Sequence, residues 1–329
     1  MKYRILEELK SKSNGYLSGE EISRKFGISR TAVWKYINKL RDEGYGIESQ
    51  TNNGYRLVDS PDSLSPVEVL PLLETEFLGR EVIYLDSIDS TNAYAKKAAE
   101  NTFWDGTVVI ADEQTCGRGR LGRQWISPKG KGIWMSMLLK PDILPSDASK
   151  ITLVAAYAVC RALEDCCKLD AKIKWPNDIV VNGKKLCGIL TEMSADIDEI
   201  KYVVVGIGIN ANLDLTDFGD EVASIATSLK IEAGKSVKRK VVAASVLNEF
   251  EKVYKSFVSN ASMEDFLEEY KSRSAVLGKD IKVIYKKEEM TGKAVDISPE
   301  GHLIVQLPDG SKKAVVSGEV SVRGLYGFI

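Results

Sequence analysis

The sequence predicts an α+β protein of several domains: a winged helix-turn-helix, a central α/β domain and a small C-terminal β-barrel. Three observations predict it. Residues 1–58 spell three short amphipathic helices and then a hairpin signal. A polar, proline-punctuated stretch follows, Asp59-Ser60-Pro61-Asp62-Ser63-Leu64-Ser65-Pro66, which reads as a linker. From about Leu277, short β-rich runs alternate with turns. A chain of 329 residues also exceeds one typical core. The boundaries expected are 1–58 for the winged helix, 59–66 for the linker, 67–275 for the central domain and 276–329 for the barrel.

The first helix turns Ile5, Leu6 and Leu9 to one side. Ser18-Gly19-Glu20-Glu21 matches a capping box, opening a helix that would bury Ile22 and Phe26 before Gly27 turns the chain. Ser29 can cap a third helix to about Glu43, with Val33, Ile37 and Leu40 inward and Arg30, Thr31, Lys35 and Asn38 outward. That outward mix, with Ser29, suits phosphate and base-edge contacts. The same fold can also make a helical interaction domain that never meets DNA. Strands near Ile47–Thr51 and Tyr55–Val58 flank Asn52-Asn53-Gly54. In the central domain Thr107–Asp112, Ile133–Leu139 and Tyr202–Ile209 read as strands and Ile151–Lys168 as the clearest helix. The terminal strands are Ile281–Lys286, Gly292–Ile297, Leu303–Leu307, Lys313–Val316 and Glu319–Arg323, with Pro308-Asp309-Gly310 as a hairpin connection.

Composition is that of an ordinary globular protein, 44% hydrophobic and 28% charged. No apolar run reaches the roughly 18 residues that span a bilayer. The start, Met1 to Glu8, carries acids and lacks an apolar signal core, and points to the cytoplasm. Five cysteines, at 116, 160, 166, 167 and 187, form no CxxC pair and fit free thiols in a reducing compartment. Cys116 has no catalytic histidine near it in sequence, since the single histidine is His302. The net charge of −2 hides an asymmetry: residues 1–58 carry +4 and the remainder −6. Only the N-terminal piece has the sign a nucleic-acid partner requires.

Gly117-Arg118-Gly119-Arg120-Leu121-Gly122-Arg123-Gln124-Trp125 sets three guanidinium groups among three glycines. Glycine lets a ligand approach the main chain, and arginine offers a rigid donor fork for phosphate and carboxylate oxygens. The loop suits an anionic small molecule; alone, it is equally a solvated basic turn. A second run, Lys174-Trp175-Pro176-Asn177-Asp178-Ile179, is followed closely by Gly183-Lys184-Lys185-Leu186-Cys187-Gly188-Ile189-Leu190. Val204 to Asn210 contains Gly206 and Gly208 but lacks the third glycine and following helix of a dinucleotide fingerprint, and no P-loop is present.

In this order and spacing the three runs resemble the biotin–protein ligase family, over essentially all 329 residues. The winged helix makes the chain similar to its bifunctional members, which also repress biotin operons. The resemblance implies a class II synthetase-like central domain and an SH3-like terminal barrel. It implies biotin, ATP and Mg²⁺ as cofactors and substrates, and biotinyl-5′-AMP as intermediate and corepressor. The implied partners are biotin carboxyl carrier domains, operator DNA and a second copy of the chain when the adenylate is bound. Joining an acid to a lysine amine in water needs the acid activated, and holding two anions together is a matter of positioning and electrostatics.

By resemblance, Arg118 closes over the adenylate, Lys185 bridges carboxylate and α-phosphate oxygens, and Asp178 accepts or orients the proton of the incoming amine. Ser90, Thr91, Asn92 and Gln114 match positions that contact the ureido ring and have suitable donors and acceptors. Gly117, Arg118, Gly119, Arg120, Lys185 and Gly188 complete the biotin side. Arg120, Arg123, Trp125, Lys174, Asn177, Lys185 and Asn210 form the adenylate side, with Gly206 and Gly208 near the ligand and no metal-ligating residues assigned. Read from residue type alone, Lys185 can also be a surface lysine, Asp178 a turn cap, Ser90 an N-cap and Trp175 core. Some relatives stack a tryptophan on adenine where Ala226 stands here. Two other readings are a biotin-sensing repressor without catalysis, against which Arg118, Lys185 and Asp178 speak, and a ligase for lipoate or another acyl group, against which the Gly117–Trp125 loop speaks.

Overall fold

The computed structural model describes residues 1–322 except 13, 14, 102, 286, 287, 317 and 318. The chain divides into two units, Met1–Ser63 and Leu64–Ile329. The first holds α1 (Lys2–Ser11), α2 (Gly19–Phe26), α3 (Arg30–Asp42) and the hairpin β1 (Gly46–Gln50) and β2 (Gly54–Asp59). Its capping box closes both ways: Ser18 Oγ accepts from the Glu21 N–H at 3.1 Å, and the Glu21 carboxylate accepts from the Ser18 N–H at 2.8 Å. Those bonds hold the Glu21 carboxyl below the usual carboxylate range. Gly27 ends α2 with φ +64°, and Ser29 caps α3 by accepting from the Ala32 N–H. Ile5, Leu6, Leu9, Ile22, Val33, Ile37 and Leu40 are all buried. Phe26, expected inside, is half-buried with the Arg4 guanidinium 5.2 Å above its ring.

The second unit is built on a seven-stranded sheet. Its strands are β3 (Val82–Leu85), β4 (Thr107–Ala111), β5 (Ile133–Leu139), β6 (Lys172–Lys174), β7 (Asp178–Val181), β8 (Lys184–Ala195) and β9 (Ile200–Ile209). Their order is β3-β4-β5-β9-β8-β7-β6, antiparallel throughout except for β3 and β4. The helices are α4 (Pro66–Val69), α5 (Thr91–Ala99), α6 (Lys150–Cys167), α7 (Asp220–Ala223), α8 (Leu229–Ala233), α9 (Arg239–Asn260) and α10 (Leu267–Ser272). Strand side chains alternate between faces. Val108, Ile110, Met135, Met137, Val203, Val205 and Ile207 join the large core with α6 and α9, while Val109, Leu138 and Val204 face Ala95 of α5.

A five-stranded antiparallel sheet follows, β10 (Asp280–Tyr285), β11 (Glu288–Ile297), β12 (Leu303–Gln306), β13 (Lys312–Val315) and β14 (Glu319–Val322), in the order β13-β12-β11-β10-β14. The predicted strand ends Lys286 and Arg323 fall outside the described residues. Ile281, Val283, Ala294, Leu303 and Val305 belong to the same apolar cluster as the central sheet, and Trp175 Nε1 donates to the Gly301 carbonyl at 3.0 Å. The boundary expected at 275/276 therefore separates two sheets that share one core. The last three residues of the expected linker are also part of this unit: Leu64 is fully buried and Pro66 opens α4. Among the described residues no helix is long and apolar enough to cross a membrane.

Gly54 has φ +104°, and a Cβ there would stand 2.2 Å from the Leu17 carbonyl oxygen. Leu17 and Tyr55 exchange backbone hydrogen bonds of 2.9 Å at that crossing. Gly54→Ala should destabilise the first unit by on the order of 1–3 kcal/mol, read as faster amide hydrogen exchange along β1 and β2.

Candidate active site

The pocket lies on the α5 side of the seven-stranded sheet, where three neighbouring strands carry small residues. Gly206 pairs with Ser136 of β5, and Gly208 pairs with Gly188 of β8. A Cβ on Gly206 would stand 2.1 Å from Asn92 Oδ1; one on Gly208 would stand 2.6 Å from Trp125 Nε1, and one on Gly188 3.0 Å from the Trp125 ring. The glycines thus form a floor against which the Asn92 amide and the Trp125 indole pack. The open space above it is about 50 Å³, bounded by α5, the arginine loop and β8.

One end of the pocket is uncharged and rich in hydrogen bonds. Ser90 caps α5 by accepting from the Ala93 N–H and also lines the pocket, so its two readings coexist. The Thr91 N–H donates to Gln114 Oε1 at 2.9 Å, and Gln114 Nε2 donates to Ser127 Oγ at 3.0 Å. Asn92 Nδ2 donates to the Leu190 carbonyl at 3.1 Å and to Glu192 Oε2 at 2.9 Å. Glu192 is paired with Lys96 at 2.6 Å. Burial pushes the Glu192 carboxyl up, but the Lys96 ammonium and Asn92 amide outweigh it and hold it below the usual range. Ser127, Ser136, Glu192 and Lys96 escaped the reading of the sequence. Only Ser136 left a signal, as the polar residue inside the apolar run Ile133–Leu139.

The other end is cationic. Arg118, Arg120 and Lys185 border the same space. Arg120 donates to Asn177 Oδ1 at 2.8 Å, and Lys185 Nζ is 2.7 Å from Asp178 Oδ1 and 5.2 Å from the centre of the Trp125 ring. The Trp125 indole N–H is buried against Gly208 and finds no acceptor among the described residues. The loop closes on itself through Gly119 N to Arg123 O at 2.7 Å and Trp125 N to Gly117 O at 2.9 Å. Behind it, Arg239 ties Asp112 at 2.9 Å to the Gly132 carbonyl at 3.2 Å, pinning the end of β4 to the start of β5.

Ser90, Thr91, Asn92, Gln114, Arg118, Gly119, Arg120, Trp125, Asn177, Lys185 and Gly188 meet at this pocket, with Asp178 beside it through Lys185. Gly117, Arg123, Lys174 and Asn210 are not among its lining residues. Gly117 is packed inside the loop, where a Cβ would stand 2.3 Å from the Trp125 carbonyl. Arg123 lies on the exposed side of the loop. Lys174 is buried in β6, and Trp175 is core. Asn210 donates to the Thr227 carbonyl at 3.0 Å and so fastens the segment after β9. In that segment Ala226 packs with Trp134, Leu213 and Phe218, next to Trp125, so the aromatic surface available there is the indole of the arginine loop. Lys131 and Lys230 hold the same segment through Asp217 and Asp214. A wider groove, about 400 Å³, continues from Arg120 and Asn177 past Leu121 and Met193 to His302. The five cysteines are free thiols; Cys116 is exposed, and burial pushes the Cys160 thiol up to about 12.

On α3, Thr31 and Lys35 are exposed as expected, with Trp34, 54% exposed, between them. Arg30 is exposed but paired with Glu20, Ser29 is spent on the cap, and Asn38 is half-buried, accepting from Arg41 at 3.2 Å.

Comparison with known proteins bears on both units. The biotin/lipoate A/B protein ligase family matches residues 84–210, an HTH domain matches 2–56, and the biotin protein ligase C terminal domain matches 276–323. The bifunctional ligase/repressor BirA of Bacillus subtilis is 41% identical over 309 residues, 94% of this chain and 95% of that protein. The Escherichia coli protein of the same description is 29% identical over 94% of each chain. The biotin protein ligase of Aquifex aeolicus, solved with biotin and ATP, superposes with a TM-score of 0.65 at 34% identity, covering 74% of this chain and 99% of that one.

Gly208→Ala should expel the Trp125 indole from its seat, because a Cβ 2.6 Å from Nε1 leaves no room for it. The check is a red-shifted tryptophan emission that disappears when Gly208→Ala is made in a Trp125→Phe background.

Proposed function

The chain belongs to the biotin–protein ligase family, and from that premise we propose that it activates biotin with ATP, transfers it to a lysine of biotin carboxyl carrier domains, and represses biotin genes through its winged helix. One observation carries the catalytic half: a single pocket joins an uncharged, hydrogen-bonding end to an end bordered by Arg118, Arg120 and Lys185. That division suits a ligand with a ureido ring at one end and an acyl phosphate at the other.

The uncharged end, with Ser90, Thr91, Asn92 and Gln114, takes the ureido ring. The glycine floor accommodates the thiolane ring and tail, and the carboxylate emerges near Lys185. There it attacks the α-phosphate of ATP, forming biotinyl-5′-AMP and releasing pyrophosphate. Lys185 draws carboxylate and phosphate oxygens together, Arg118 closes over the product, and Arg120 and Trp125 meet the nucleotide. In the second half-reaction the amine of the acceptor lysine attacks the acyl carbon and AMP leaves. Asp178, 2.7 Å from Lys185, is placed to orient the amine and receive its proton, and the groove running from Asn177 offers the lysine an approach. Among the described residues no three His, Cys, Asp or Glu side chains converge on a metal position, and Asp178 is engaged by Lys185. The residues do not form a cradle for a resident ion, so Mg²⁺ is proposed only as a companion of the ATP phosphates.

The repressor half rests on Thr31, Lys35 and Trp34 of α3 and on the charge of +4 over residues 1–58. One such unit makes few phosphate contacts and should bind weakly at physiological salt. Biotinyl-5′-AMP acts as corepressor by favouring a homodimer, whose two winged helices engage two half-sites with the second contact effectively intramolecular. The protein works in the cytoplasm, where carrier domains and operator DNA are both present.

Purified protein with ATP, Mg²⁺, biotin and a carrier domain should add one biotin per carrier, seen by intact mass. Lys185→Ala should slow adenylate formation on the order of 10²–10³-fold and slow transfer from supplied biotinyl-5′-AMP much less. Equal losses in both half-reactions would remove Lys185 from the α-phosphate.

Removal of residues 1–63 should abolish operator protection in a footprint while leaving carrier biotinylation measurable. A truncated protein that still protected the operator would contradict the division of labour.

A further inference from the structure

Ser136 is fully buried at the middle of β5 and does not line the pocket. A hydroxyl in such a place is unfavourable unless it is hydrogen-bonded, and here it stands between two pocket residues. Ser136 Oγ is 2.6 Å from Asn92 Oδ1 and 2.7 Å from Thr91 Oγ1. It has one proton to give, and the direction of each contact follows from which atoms can only accept.

Asn92 settles the first direction. Its Nδ2 faces the Leu190 carbonyl and the Glu192 carboxylate, both of which only accept. The amide nitrogen must therefore point to them and Oδ1 to Ser136. Lys96 anchors Glu192 from behind, and Gly206 leaves room for Oδ1 to reach the strand. Asn92 Oδ1 cannot donate, so the Ser136 proton lies on the 2.6 Å contact. The 2.7 Å contact to Thr91 is inside the usual O–H···O range, and two oxygens that close with no proton between them would repel. The Thr91 hydroxyl must supply that proton. Its alternative acceptor, Gln114 Oε1, is farther away at 3.1 Å and already accepts the Thr91 N–H.

We propose that Ser136 is a positioning residue: it takes the Thr91 proton and leaves the Thr91 oxygen as an acceptor facing a ligand N–H. The inference rests on the reading that the pocket holds a ureido ring. Ser127 treats Gln114 in the same way, donating to the Trp125 carbonyl at 3.1 Å while accepting from Gln114 Nε2, so that Gln114 Oε1 is a second fixed acceptor. Two oriented acceptors suit a ring with two N–H groups and give no advantage to an acid that has none.

The test uses the full chain and two acids: biotin, and an acid with the same thiolane ring and pentanoate tail but no ureido ring. Calorimetric titration of Ser136→Ala should show biotin bound about tenfold more weakly and the ureido-free acid bound as in wild type. Thr91→Val should lose a similar factor, and the double variant should be no weaker than Thr91→Val alone, because Ser136 acts through Thr91. Ser136→Cys, a thiol that donates weakly, covers the case in which alanine unsettles the sheet; its loss should again be confined to biotin. Unchanged biotin affinity in Ser136→Ala, equal weakening of both acids, or additive losses in the double variant would each overturn the relay. Wild-type protein that failed to prefer biotin over the ureido-free acid would instead overturn the reading on which the relay rests.

Discussion

The two-residue period of β9 is the constraint on which the site depends. Val203, Val205, Ile207 and Ile209 turn to the helical side and fill the large core, while Val204, Gly206 and Gly208 turn to the other. Parity allows a single strand to be both a packing surface and a binding floor. The neighbours continue the pattern: β5 offers Ser136 opposite Gly206, and β8 offers Gly188 opposite Gly208. A slip of one residue would bury the glycines and drive Val205 and Ile207 into Asn92 and Trp125. The helical face resists that slip, since burying an aliphatic side chain of this size is worth about 1.5–3 kcal/mol, and several would be exposed at once. The core therefore holds the register, and the register holds the floor.

Three cations at one rim would repel one another unless each had company. Arg120 has Asn177, Lys185 has Asp178, and Arg118 lies on the exposed side of the loop where solvent screens it. The arrangement is stable yet keeps positive charge available, because contacts with a neutral amide or with one carboxylate oxygen leave other N–H groups unspent. The loop's short backbone hydrogen bonds and the buried Arg239–Asp112 pair limit how far these groups wander. Positioning and charge come from one device.

Much of the first unit was legible in sequence because its signals are local. Caps at Ser18 and Ser29, the left-handed Gly27 and the periodic apolar residues each act within one or two turns. The pocket was legible in part, through Thr91, Gln114, Arg118, Arg120 and Lys185 in dense motifs. Ser127, Glu192 and Lys96 were not, since their partners come from other strands and helices and neither their own residue type nor spacing announces the contact, and Ser136 left only its polarity within an apolar run. Lys174 and Asn210 sit inside motifs yet face the interior, because a motif marks a segment while the packing of β6, and of the turn after β9, decides which of its residues look into the pocket. Arg30 shows the same limit on α3: an outward arginine can be claimed by a carboxylate from the preceding helix, here Glu20.

The ion pair between Lys185 and Asp178 has a consequence for the safety of the reaction. An acyl-adenylate is a mixed anhydride, and any free amine beside it is a potential victim. Lys185 is the amine closest at hand in the proposed chemistry, yet an ammonium has no lone pair with which to attack. Asp178 Oδ1 stands 2.7 Å from that ammonium, so in the proposed chemistry the lysine that assembles the anhydride is itself engaged by a carboxylate. On the proposed reading, the carboxylate that receives a visiting amine thus also occupies the resident one, and the same two atoms serve both to label the partner and to spare the enzyme.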